Sequence, residues 1–106
     1  MKLNHASILD IKDAASEQLE RYAITTSVLN DLAGENAITW EEVERISNAC
    51  QPVKDKYNRI ISATNHALAI SSWENGRQMP FMKAPAPLTE DELTLLETAW
   101  NSFFNI

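Results

Sequence analysis

From Val43 onward, apolar or small side chains recur at Ile46, Cys50, Val53, Tyr57, Ile60, Thr64 and Ala67, in alternating steps of three and four that never slip. A strand repeats every second residue, so this period belongs to one face of a long α-helix. Its start is signalled in Ile38-Thr39-Trp40-Glu41-Glu42-Val43. Thr39 can cap the helix, Glu42 can bond back to it, and Ile38 and Val43 are spaced as a hydrophobic staple. Asn75-Gly76 is a stop signal, so the spacing predicts a helix over 40–74. Pro52 falls inside it, and a proline in a regular helix costs about 3 kcal/mol. Because the apolar register keeps its phase across Pro52, the expectation is one helix kinked there. The alternative is a break at Gln51, with Pro52 in the first turn of a new helix.

A second helical pattern precedes this one. Ile8, Ile11, Ala15, Tyr22, Leu29 and Leu32 share a face, which Leu19 and Ala23 widen. Ser7 is a candidate cap with Asp10 reaching back, and Gly34 sits where a left-handed residue would close the helix, giving a span of 7–33. Glu17 and Arg21 are spaced for an i,i+4 pair. The β-branched run Ile24-Thr25-Thr26 is its weak point. A third start signal, Leu88-Thr89-Glu90-Asp91-Glu92-Leu93, opens a helix over 90–104 with a stripe of Leu93, Leu96, Trp100 and Phe103. Pro80, Pro85 and Pro87 make the intervening 75–88 a loop that carries the apolar pair Phe81 and Met82.

The expected fold is therefore all-α and single-domain: a long antiparallel helical hairpin plus a shorter C-terminal helix. At about 1.5 Å rise per residue the first two helices would be about 39 and about 50 Å long, and the short connection makes them antiparallel neighbours. The third helix is too short to cover that length, which predicts a two-fold homodimer that completes the bundle.

Composition narrows the function. Only two glycines, Gly34 and Gly76, occur in 106 residues, so no glycine-rich phosphate loop can be built. The net charge is −6, and the stretch from Ala84 to Ile106 has four acids and no Lys or Arg. Such a balance disfavours nucleic acid, which is bound through Lys and Arg that displace counterions. The lone Cys50 forms no intramolecular disulfide and fits a reducing, cytoplasmic setting. Neither a secretory leader nor a membrane span is expected; the longest apolar candidate, 60–73, is short and polar-interrupted.

No cofactor and no metal are expected: His5 and His66 lie far apart, and no Glu-x-x-His pair occurs. Cys50 and His66 form a nucleophile pair only on paper, because on one helix their backbones are about 24 Å apart. The acids Glu41, Glu42 and Glu44, like Glu90, Asp91 and Glu92, lie in first helical turns, where capping and the helix dipole account for them. His66 reads as a partly exposed surface histidine. What remains is a set of aromatics, Trp40, Trp73, Trp100, Phe81, Phe103 and Phe104, and an acidic third helix. The leading expectation is a non-catalytic protein-interaction module: an adaptor, inhibitor or regulator, such as phages and plasmids encode. Its contact surface would be Phe81, Met82, Glu90, Asp91, Glu92 and Trp100. The alternative is a DNA-binding regulator with a helix-turn-helix-like segment at 28–46 and a basic face of Arg45, Lys56 and Arg59. A small Cys-dependent enzyme comes third.

Overall fold

The computed structural model describes residues 3–74 and 84–104, and within them the chain is all-α. Three helices follow one another: α1 (His5–Gly34), α2 (Trp40–Glu74) and α3 (Glu90–Phe104). The first two form the long antiparallel hairpin, and the shorter α3 packs against both.

α1 starts two residues earlier than its spacing predicts. Asn4 is the cap, its side-chain oxygen accepting from the Ser7 amide at 2.9 Å, and the Ser7 hydroxyl accepts from the Asn4 amide at 2.8 Å. Ser7, expected as the cap, is thus the third residue of a reciprocal capping box. The end differs as well. Gly34 is the last helical residue, and the left-handed residue is Asn36, at φ 62°. The Asn36 amide donates to Ala33 O (3.1 Å) and the Ala37 amide to Leu32 O (2.9 Å), the two bonds of a Schellman closure. Asparagine tolerates this conformation better than other residues with a side chain, which is why the turn does not need the glycine. The β-branched run does not break α1. Thr25 and Thr26 return their hydroxyls to the carbonyls of Arg21 (2.9 Å) and Tyr22 (3.0 Å), one turn back.

α2 begins as its sequence predicts. The Thr39 hydroxyl accepts from the Glu42 amide (3.1 Å), and Glu42 Oε1 accepts from the Thr39 amide (3.3 Å). The helix then runs unbroken through Pro52. Pro52 leaves the carbonyl one turn back, at Asn48, without its helical donor. Both residues are exposed, so water can serve that carbonyl. α3 repeats the capping box through Thr89 and Glu92.

The core lies at one end of the hairpin. Ile8, Ile11 and Ala15 of α1, Ile60, Ala63 and Ala67 of α2, and Leu96 and Ala99 of α3 form its buried cluster. Small residues at 15, 63, 67 and 99 let the three helices approach closely, and Ile11, Ile60 and Leu96 fill the centre. The α3 stripe is rotated from the expected one: Ala99 is buried, whereas Leu93 is partly exposed. Thr64 is buried as well, and its hydroxyl donates to Ile61 O at 2.6 Å. An aromatic series closes the cluster, with Tyr57 6.5 Å from Tyr22 and 6.2 Å from Phe103 between ring centroids. Past this series the described residues of the hairpin are those of α1 and α2 alone, to a small tip contact where Ala33 and Val43 are buried.

Candidate functional site

Two features stand out: a three-way polar clasp between α2, α3 and the linker before it, and an outer half of the hairpin that no other described residue covers.

The clasp is built on His66. The α2 stripe turns residues 60, 63, 64 and 67 inward, which leaves position 66 at the border of the face that meets α3. The α3 capping box brings Glu92 to the same border. Glu92 Oε1 is already occupied, accepting from the Thr89 amide at 3.1 Å. Its other oxygen, Oε2, lies 2.7 Å from His66 Nδ1. On the opposite side of the ring, Nε2 lies 2.7 Å from the carbonyl oxygen of Ala86. Ala86 stands between Pro85 and Pro87 in the non-helical linker 84–89, where proline disfavours helix and leaves the Ala86 carbonyl without a helical donor.

Both groups facing the ring are acceptors. A neutral imidazole has one N–H and satisfies one of them; the imidazolium has two and satisfies both. The Glu92 hydrogen bond, the Ala86 carbonyl and the Glu92 charge accordingly hold His66 above the ordinary histidine value. Bonds from His66 and from Thr89 hold Glu92 below the ordinary carboxylate value. A histidine oriented by a carboxylate often serves as a general base, with its second nitrogen turned to substrate. Here that second nitrogen is taken by Ala86, so the pair fastens three pieces of chain together and has no free nitrogen to offer.

The residues expected to form a contact surface separate in space. Glu90 and Asp91 are exposed in the first turn of α3. Glu92 is half-buried and engaged as described. Trp100 is half-buried, packed on the core and 4.7 Å from the Phe104 ring. Phe81 and Met82 lie outside the described residues. Cys50 is half-buried on the same uninterrupted helix as His66, and His66 is bonded to Glu92 and Ala86 instead. Arg45, Lys56 and Arg59 are exposed on α2, but Arg59 lines one small depression with Asp91 and Glu92, so acids border the basic face. Among the described residues, no group of three His, Cys, Asp or Glu is placed to hold a metal, and no helix is long and apolar enough to cross a membrane.

Sequence reasoning missed two things. His66 was legible only as a surface residue, because its partners are 20 and 26 positions away in the chain. The one available signal was the Glu92 capping box, which uses one carboxylate oxygen and leaves the other to find a donor. The outer half of the hairpin is the second. Ile24 is 65% exposed, Val28 51% and Trp40 61%, and Ile46 also reaches the surface. Ile24 and Val28 stand one helical turn apart on one side of α1. No protein-family model, curated protein or solved structure is significantly similar to the chain.

Proposed function

We propose that the chain is a non-catalytic protein-interaction module, an adaptor, inhibitor or regulator of another protein, and that it works in a reducing, cytoplasmic setting. The observation that carries this reading is the exposure of Ile24, Val28 and Trp40 on a stretch of hairpin that α3 does not reach. Apolar side chains singly exposed are ordinary, but a helical pair on α1 and an exposed tryptophan at the head of α2 are the kind of anchors that interfaces use. The exposed acids Glu90 and Asp91 at the other end of the molecule would favour a basic partner. The same outer half is where a second copy would pack in the expected homodimer, since two hairpins side by side make a four-helix arrangement.

The test is a comparative capture. Tagged wild-type protein and an Ile24→Ser/Val28→Ser/Trp40→Ala variant are recovered from a host lysate and read by mass spectrometry, with nucleic acid assayed in both eluates. A stoichiometric protein held by the wild type and lost from a variant of unchanged helicity supports the proposal. Nucleic acid as the only companion would overturn it in favour of a DNA-binding regulator.

A further inference from the structure

We propose that His66 is a pH-operated latch, which fastens the linker 84–89 and the first turn of α3 onto α2 when protonated and loosens them when neutral. The geometry carries the inference. The imidazole is clamped between two groups that can only accept, Glu92 Oε2 and Ala86 O, each 2.7 Å away. Loss of the ring proton leaves one nitrogen lone pair facing one oxygen lone pair across a hydrogen-bond distance, so one of the two contacts must open. Whichever opens, a joint is lost between α2 and the segment leading into α3.

Among the described residues, the latch works against few other charges. From α3, Glu92 is the one charged group acting on the ring; Glu90 and Asp91 share its turn but point to solvent. From the linker only the Ala86 carbonyl acts, and no charged residue of α1 contributes. On α2 itself the neighbours one turn away, Ser62 and Ile70, are neutral, and Arg59 stands about two turns off. Under the latched segment lies a groove of ≈ 470 Å³. Leu88 and Leu93 border it with Ile8, Ala67 and Ile70, and its rim carries the titratable groups His5, Glu74 and Glu97. Beyond it lie Ile60 and Ala63, which α3 covers through Leu96 and Ala99. Loosening the first turn of α3 therefore uncovers apolar side chains, rimmed by charged ones, at the base of the hairpin, remote from the outer half proposed above as the contact surface.

NMR tests this directly, because the chain has two histidines and His5→Gln leaves His66 as the one titrating ring. The His66 midpoint is expected to lie above that in a Glu92→Gln variant. Raising the pH through that midpoint is expected to lower the hydrogen-exchange protection factor of the Leu93 amide, which donates to Thr89 O in the first turn of α3. Amides in the buried parts of α1 and α2, at Ile11 and Ile60, should keep theirs. In His66→Gln, which does not titrate, the pH response at Leu93 should vanish. The proposal is overturned if Leu93 protection is flat across the midpoint, if Ile11 and Ile60 fall with it, or if the response persists in His66→Gln.

Discussion

Tyr57 stacks on Phe103 with their ring centroids 6.2 Å apart and their planes inclined by 20°, and this contact marks where the molecule changes from three helices to two. On one side of it every helix contributes to the buried cluster; on the other, among the described residues, α1 and α2 have only each other.

Stability should therefore be uneven along the hairpin. Leu96→Ala is expected to cost about 2–5 kcal/mol, as truncations in a packed core do. Val28→Ala, on the exposed outer half, should change stability by less than about 0.5 kcal/mol. Chemical denaturation of the two variants checks the contrast, and equal losses would contradict the division at Tyr57.

The pH profile should show the clasp. His66 is held above 6.5, so its contribution is complete below the unfolded value of 6.5 and is lost as pH rises through the folded one. Glu92 is held below 4.5, so its contribution is complete above 4.5 and is lost as pH falls through the folded value. Their joint contribution is thus greatest between 4.5 and 6.5. Denaturation midpoints of wild type and His66→Gln, measured across that range and above it, should converge as the pH rises. Because the pair is partly solvated, salt should shrink the difference.

The close of α1 admits two changes of opposite sign. A side chain at Gly34 would meet nothing within 4 Å, so Gly34→Ala should stabilise by about 0.4–1 kcal/mol through the unfolded chain. Asn36 is held at φ 62°, and Asn36→Val should cost about 1–2 kcal/mol from the steric penalty of that conformation. Thermal melts of the two variants decide it.

Charge reversal in the first turn of α3 should separate binding from folding. Glu90→Lys and Asp91→Lys remove exposed acids, each at a cost of about 0.3–1 kcal/mol from the helix dipole, and should weaken the hold on a basic partner. Glu92→Lys breaks the capping box and places a cation against His66, so it should lower stability more than either. Parallel binding and melting measurements distinguish the two effects.

The helices and their order were legible because apolar spacing and capping chemistry are local, and Thr39 with Glu42, like Thr89 with Glu92, performs as its spacing demands. Boundaries were less so. At the head of α1 the expected cap was Ser7, and the helix instead starts from Asn4, with Ser7 as its capping-box partner three residues on. At its foot, Asn36 took the left-handed position that Gly34 would ordinarily claim. Of the clasp, only the spare oxygen of the Glu92 capping box was legible. His66 meets its partners only once α3 has folded back over α2, and no periodicity encodes a contact across 26 residues. The expected contact residues fared unevenly: Glu90 and Asp91 reach solvent, whereas Glu92 and Trp100 face partners within the chain.

The long outer hairpin also governs how the molecule drifts through water. Its radius of gyration is 18.0 Å and its extents are 56 × 37 × 20 Å, whereas a compact chain of this length would have a radius of gyration of about 13 Å. A single copy should therefore leave a sizing column early, at the volume of a heavier sphere. Light scattering, which weighs particles irrespective of outline, is the measurement that separates one rod-like copy from a true pair.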